Sequence, residues 1–77
     1  MTVAENQLIG VLVEIFQAKG VDAPVLAGHT VLDQIGLESL DFAQAVIRLE
    51  EMTGKDPFAT GADFQIRTLS DFAVLYS

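Results

Sequence analysis

The apolar residues of this chain recur at helical spacing and nowhere alternate over a useful length, which removes most architectures from consideration. Thr2-Val3-Ala4-Glu5 fits a capping box, in which a threonine and a glutamate three residues later satisfy each other's backbone N–H groups. Leu8, Leu12, Ile15 and Phe16 follow on one stripe with Val11 beside them, while Glu5 and Glu14 lie off it. The spacing predicts a first helix over about residues 3–18, closed by Lys19 and Gly20. Gly10 inside it lowers propensity by roughly 1 kcal/mol relative to alanine, which points to close packing or to simple tolerance.

Residues 21–38 form a long connection punctuated by Pro24, Gly28 and Gly36. It carries Val25, Leu26, Val31, Leu32, Ile35 and Leu37, so it is expected to lie across the helices and seal the core. Thr30-Val31-Leu32-Asp33 suits a single helical turn. A second helix is expected from Ser39 to about Thr53, with Ser39 as N-cap and Asp41 in the first turn. Its inward stripe reads as Leu40, Ala43, Val46, Ile47 and Met52, leaving Glu38, Asp41, Gln44, Arg48 and Glu51 outside. Gly54 is the expected stop, confirmed by Asp56-Pro57. Thr60-Gly61-Ala62-Asp63 can open a short helix that turns Phe64 and Ile66 inward. Thr68-Leu69-Ser70-Asp71 opens a last one carrying Phe72, Val74 or Ala73, Leu75 and Tyr76. The expected fold is all-α: one domain over residues 1–77, a small antiparallel bundle of three main helices plus one short helix. A long structured loop follows the first helix.

Eleven Asp and Glu against four Lys and Arg give a net charge of −7. Nucleic acid and anionic membrane are poor partners for such a surface, and basic protein surfaces are natural ones. No apolar run approaches the ~20 residues of a membrane span, no signal region opens the chain, and a cytoplasmic location is expected. There are no cysteines, hence no disulfide and no thiolate chemistry.

Ser39 is the polar residue whose setting most suggests a task. As a nucleophile it would need a base and an oxyanion hole. The single histidine, His29, stands ten residues upstream in a loop and reads as an ordinary loop histidine. Gly36-Leu37-Glu38-Ser39-Leu40 lacks the second glycine of a nucleophile elbow, and adjacent carboxylates would raise the serine pKa. No catalytic residues and no metal site are assigned, for the sequence has neither EF-hand spacing nor a His/Cys cluster. Two readings of Ser39 stand: a substrate for another enzyme, exposed at a helix start where a phosphate ester would face free N–H groups, or a plain cap.

Gly36-Leu37-Glu38-Ser39-Leu40-Asp41 resembles the attachment motif of acyl carrier proteins, written Gly/Leu–x–Asp-Ser-Leu. Glu50-Glu51 resembles that family's acidic pair later in the same helix, and Thr68-Leu69-Ser70-Asp71 its opening to the last helix. The resemblance covers essentially the whole chain. It implies that Ser39 carries a covalent 4′-phosphopantetheine arm installed by a phosphopantetheinyl transferase. Acyl groups would ride on that arm as thioesters, in a fatty-acid, polyketide or other specialised acyl pathway. The chain would then be a carrier and not an enzyme, and a monomer. Its partners would be acyl-transferring or acyl-modifying enzymes with basic docking patches. Glu38, Asp41, Glu50 and Glu51 would make charge contacts with them, and Leu40, Phe42 and Val46 apolar ones. Glu38 stands where the family usually has aspartate, Gln44 where it often has glutamate, and the segment before the last helix carries Arg67. These departures count against the housekeeping carrier of fatty-acid synthesis and leave a dedicated carrier at least as well supported. The alternatives are an unmodified acidic helical interaction module, or a carrier of an amino acid or peptide.

Overall fold

The computed structural model describes residues 2–59, 61 and 65–77. Among the described residues there are three α-helices: α1 (Val3–Ala18), α2 (Ser39–Thr53) and α3 (Leu69–Ala73). Single 3₁₀ turns stand at Leu32–Gln34 and, continuing α3, at Val74–Tyr76. Among the described residues there is no strand, only an isolated antiparallel bridge between Val31 and Thr68.

The expected first helix is present, with its capping box. Glu5 N–H donates to Thr2 Oγ1 and Thr2 N–H donates to the Glu5 carboxylate, both at 3.0 Å. Leu8, Val11, Leu12, Ile15 and Phe16 are all buried, so the stripe read from the spacing is the core stripe. A Cβ at Gly10 would meet nothing within 4 Å; this glycine is tolerated, not required. α3 begins with a second capping box, in which Asp71 N–H donates to Thr68 Oγ1 at 3.2 Å and Thr68 N–H to the Asp71 carboxylate at 3.0 Å. Of the two residues expected inward near its end, Ala73 is buried and Val74 is 62% exposed.

α2 corrects two expectations. Its N-cap is Glu38 (φ −97°, ψ 168°), and Ser39 is the first helical residue. The reason lies three residues on: Asp41 returns a bond to the Glu38 N–H at 2.9 Å, whereas Phe42, three beyond Ser39, has no acceptor to return. The inward face is also different. Ala45 and Leu49 are buried and Phe42 and Val46 half-buried, while Leu40, Ala43, Ile47 and Met52 are exposed. Val46 alone of the expected stripe faces inward. Leu40 and Leu49 stand nine residues apart, about half a turn in azimuth at 3.6 residues per turn, so the two readings are opposite faces of one helix. Burial makes the choice, since Ala45 and Leu49 have no exposed surface, and two ion pairs accompany it: Lys19 Nζ, at the C-cap of α1, with Asp41 at 2.8 Å, and Arg48 with Glu14 of α1. They hold the flank carrying Asp41 and Arg48 beside α1 and leave Leu40 and Ile47 on the far side. Gly54 ends the helix as expected, at φ +71°, a conformation that glycine adopts without a Cβ penalty.

The long connection seals the core only from Leu26 onward. Val21 and Val25 are 53% and 95% exposed, whereas Leu26, Ile35 and Leu37 pack against the buried cluster that includes Leu32. The expected turn starts one residue after Val31, at Leu32. This part is tied to the segment around the start of α3 by Leu32 N–H to the Arg67 carbonyl (3.0 Å), Leu69 N–H to that of Thr30 (2.9 Å) and Ser70 N–H to that of Gly28 (2.8 Å). The short helix expected from Thr60 lies outside the described residues, as does the inward placement of Phe64; Ile66 packs against the core.

Candidate functional site

Gly36 stands at φ +83°, turning the chain between the 3₁₀ turn and α2. Glu38 then runs extended, and Ser39 enters the helix with its side chain exposed. Among the described residues the Ser39 hydroxyl has no hydrogen-bond partner. The first turn closes on Glu38, whose carbonyl accepts from the N–H groups of Asp41 (3.0 Å) and Phe42 (3.2 Å). The N–H groups of Ser39 and Leu40 have no partner among the described residues, as expected at a helix start. Ser39 is thus unengaged, and it stands at the positive end of a four-turn helix.

The carboxylates around it differ in availability. Glu38 and Glu51 are exposed. Asp41 is committed: its Oδ2 takes the Lys19 ammonium at 2.8 Å and the Glu38 N–H at 2.9 Å. The Lys19 bond, with the Glu38 N–H second, holds its carboxyl below the usual aspartate value. The same bond raises the Lys19 ammonium above its ordinary value. Glu50 is half-buried, and desolvation, reinforced by neighbouring Asp56, pushes its carboxyl up. Leu40 is 69% exposed, while Phe42 and Val46 face the interior. The residues named for partner contact therefore fall on two faces, with Glu38, Leu40 and Glu51 outward and Phe42 and Val46 inward.

Those two inward residues line a cleft of about 390 Å³. Leu32, Phe58, Ile66 and Phe72 complete its apolar walls, and Asp33 and Arg67 are its polar members. Ser39, Phe42 and Val46 lie at i, i+3 and i+7, so the serine stands at the end of the helical row that faces this cleft. The cleft is of ligand-binding size, mostly apolar, with few polar groups. The Ser39 hydroxyl is free, the helix start suits an anion, and an apolar space lies along the same row.

Phe58, Asp33 and Arg67 were not brought together from the sequence, because they come from segments without periodicity; Ile66 was expected inward, and Arg67 stood out only as a cation. His29 is exposed. Among the described residues no group of three His, Cys, Asp or Glu side chains is placed to hold a metal ion. Among them, too, no helix is long and apolar enough to cross a membrane. No protein-family model matches the chain, and neither the curated proteins nor the solved structures contain a match to it.

Proposed function

We propose that this protein is an acyl carrier whose Ser39 receives a 4′-phosphopantetheine arm from coenzyme A on a separate transferase. The observation that carries the reading is the free, exposed Ser39 hydroxyl at the first position of α2, on the row that leads into the apolar cleft. In the transfer, Ser39 Oγ bonds to the phosphorus of the arm and the bond to the adenosine bisphosphate breaks. The hydroxyl proton goes to a base of the transferase. Once attached, the arm supplies a thiol that holds acyl groups as thioesters. Ser39 positions it at the helix N-terminus, where the partnerless N–H groups of Ser39 and Leu40 favour the phosphodiester charge.

The outward face of α2 suits docking to basic enzyme surfaces. Leu40 and Ile47 are exposed apolar contacts, and Glu51 and Glu38 are exposed charges beside them. Complementary charge gives fast, salt-sensitive encounters, as a carrier serving several enzymes requires. The same face favours a second reading, an unmodified module that binds a basic partner and uses Ser39 for nothing. Intact mass separates the two. After incubation with coenzyme A, Mg²⁺ and a broad-specificity transferase, the protein is expected to gain the mass of one arm, and Ser39→Ala to gain none. A chain that no transferase modifies belongs to the second reading.

A further inference from the structure

Among the described residues, Lys19 is the one cation paired to the turn that carries Ser39. Arg48, Lys55 and Arg67 are engaged elsewhere, with Glu14, the Ser77 carbonyl and Asp71. Lys19 stands at the C-cap of α1, where its N–H donates to the Ile15 and Phe16 carbonyls at 3.1 Å. Gly20 turns the chain away after it, at φ +73°. From this fixed base the ammonium reaches α2 and bonds Asp41 Oδ2 at 2.8 Å. The same oxygen accepts from Glu38 N–H at 2.9 Å. The Asp41 side chain keeps only 14% of its exposure, so water screens this pair less than an ordinary surface pair.

One oxygen of Asp41 thus joins the end of α1 to the cap of α2. Two caps compete at this helix start. Serine is the better N-cap by preference, and with the cap at Ser39 its hydroxyl would accept from Asp41 or Phe42 N–H. With the cap at Glu38 those two N–H groups go to the Glu38 carbonyl, and the serine oxygen stays free. Asp41 favours the second arrangement by holding the Glu38 N–H. It does so beside the Glu38 carboxylate, and Lys19, within electrostatic reach of both, offsets that repulsion. Resting on the carrier reading above, we propose that Lys19 is a positioning residue for Ser39. Through Asp41 it keeps the cap at Glu38 and leaves a serine lone pair free to attack the phosphorus of the incoming arm. Asp41 is then engaged within the molecule, and the exposed Glu38 and Glu51 are left to meet a basic transferase.

The test measures kcat and KM of a broad-specificity transferase for the full chain and four variants. These are Lys19→Met, Lys19→Arg, Asp41→Ala, and the double variant of Lys19→Met with Asp41→Ala, each shown to be folded by its urea midpoint. The ¹³Cα and ¹³Cβ shifts of Ser39, recorded before modification, report whether the serine is the first helical residue or the cap. Lys19→Met is expected to lower kcat about threefold, the weight of one ion pair, and to move the Ser39 shifts toward the cap pattern. Asp41→Ala is expected to do the same, the double variant to add little to either, and Lys19→Arg to restore most of kcat. Loss of the Lys19 charge also speeds encounter with a basic enzyme, which moves KM and not kcat, so kcat carries the test. A kcat or a set of Ser39 shifts left unchanged by Lys19→Met would overturn the proposal while leaving the carrier reading intact. So would an Asp41→Ala effect confined to KM, which would make Asp41 a docking charge. Arm attachment to none of the proteins, the unaltered chain included, would overturn both.

Discussion

At the scale of single residues, the difference between Glu38 and Ser39 decides what a mutation of the serine means. Serine is favoured at N-caps, so sequence statistics place the cap one residue late. The structure puts it at Glu38 because a capping box needs an acceptor three residues on, and only Asp41 supplies one. The identity and exposure of Ser39 were legible; its freedom from capping was not, since that depends on a competition between adjacent residues. Ser39→Ala is accordingly expected to change unfolding stability by no more than about 0.5 kcal/mol. Thr68→Ala, which removes a cap oxygen that accepts from Asp71 N–H, is expected to cost about 1 kcal/mol. Urea titrations of the two variants would show the contrast. It matters for function, because loss of modification in Ser39→Ala can then be assigned to the hydroxyl and not to a loosened fold. A Ser39→Ala loss as large as that of Thr68→Ala would put the serine back in the cap.

At the scale of elements, α1 and the start of α3 were legible because each has one apolar arc and a complete cap signal. α2 has two apolar arcs. Leu40, Ala43 and Ile47 make one; Phe42, Ala45, Val46 and Leu49 make the other, and periodicity gives both the same score. The arbiter is tertiary: Ala45 and Leu49 bury completely in the core, and the Lys19–Asp41 and Arg48–Glu14 pairs accompany this by joining charged residues, expected to face solvent, to α1 and its C-cap. Leu49, with no exposed surface, becomes a central core residue, and Ile47 a surface one at 55% exposure. Leu49→Ala is expected to cost 2–5 kcal/mol, on the order of other buried leucine truncations. Ile47→Ser should stay within about 0.5 kcal/mol while weakening attachment of the arm by the transferase, if the outward face docks it. Denaturant midpoints read the first pair of values and transferase kcat/KM the last. Equal costs for the two substitutions would restore the face read from the sequence.

At the scale of the whole molecule, acid bears on the fold through carboxylates that move in opposite directions. Asp71 accepts from the backbone N–H groups of Thr68 and Arg67, and these bonds hold its carboxyl below its ordinary 3.8. Asp41 is held low by Lys19 and the Glu38 N–H. A carboxyl depressed by folding contributes stability that is present above its unfolded value and lost as pH falls through its folded one. Both contributions are therefore intact at neutral pH and disappear below about pH 3.8, loosening the α1–α2 tie and the start of α3 together. Glu50 runs the other way, because desolvation and Asp56 raise it above 4.5. Its contribution is fully present below 4.5 and is lost as pH rises through the raised value, so mild acid relieves it. Buried Tyr76, its hydroxyl pushed up to about 12 by desolvation with Glu50 and Asp56 adding to it, stays neutral throughout this range. Stability is thus expected to rise on acidification from neutrality, pass through a maximum in the mildly acidic range, and fall below about pH 3.8. The general relief of repulsion in an acidic chain adds to the first limb, so the wild-type curve alone does not isolate Glu50. Glu50→Gln does: its difference from wild type should shrink as pH falls through the raised Glu50 value. Asp71→Asn should differ most at neutral pH and converge with wild type in strong acid. Urea midpoints across pH would measure both differences, and a Glu50→Gln difference that stays flat would remove Glu50 from the acid response.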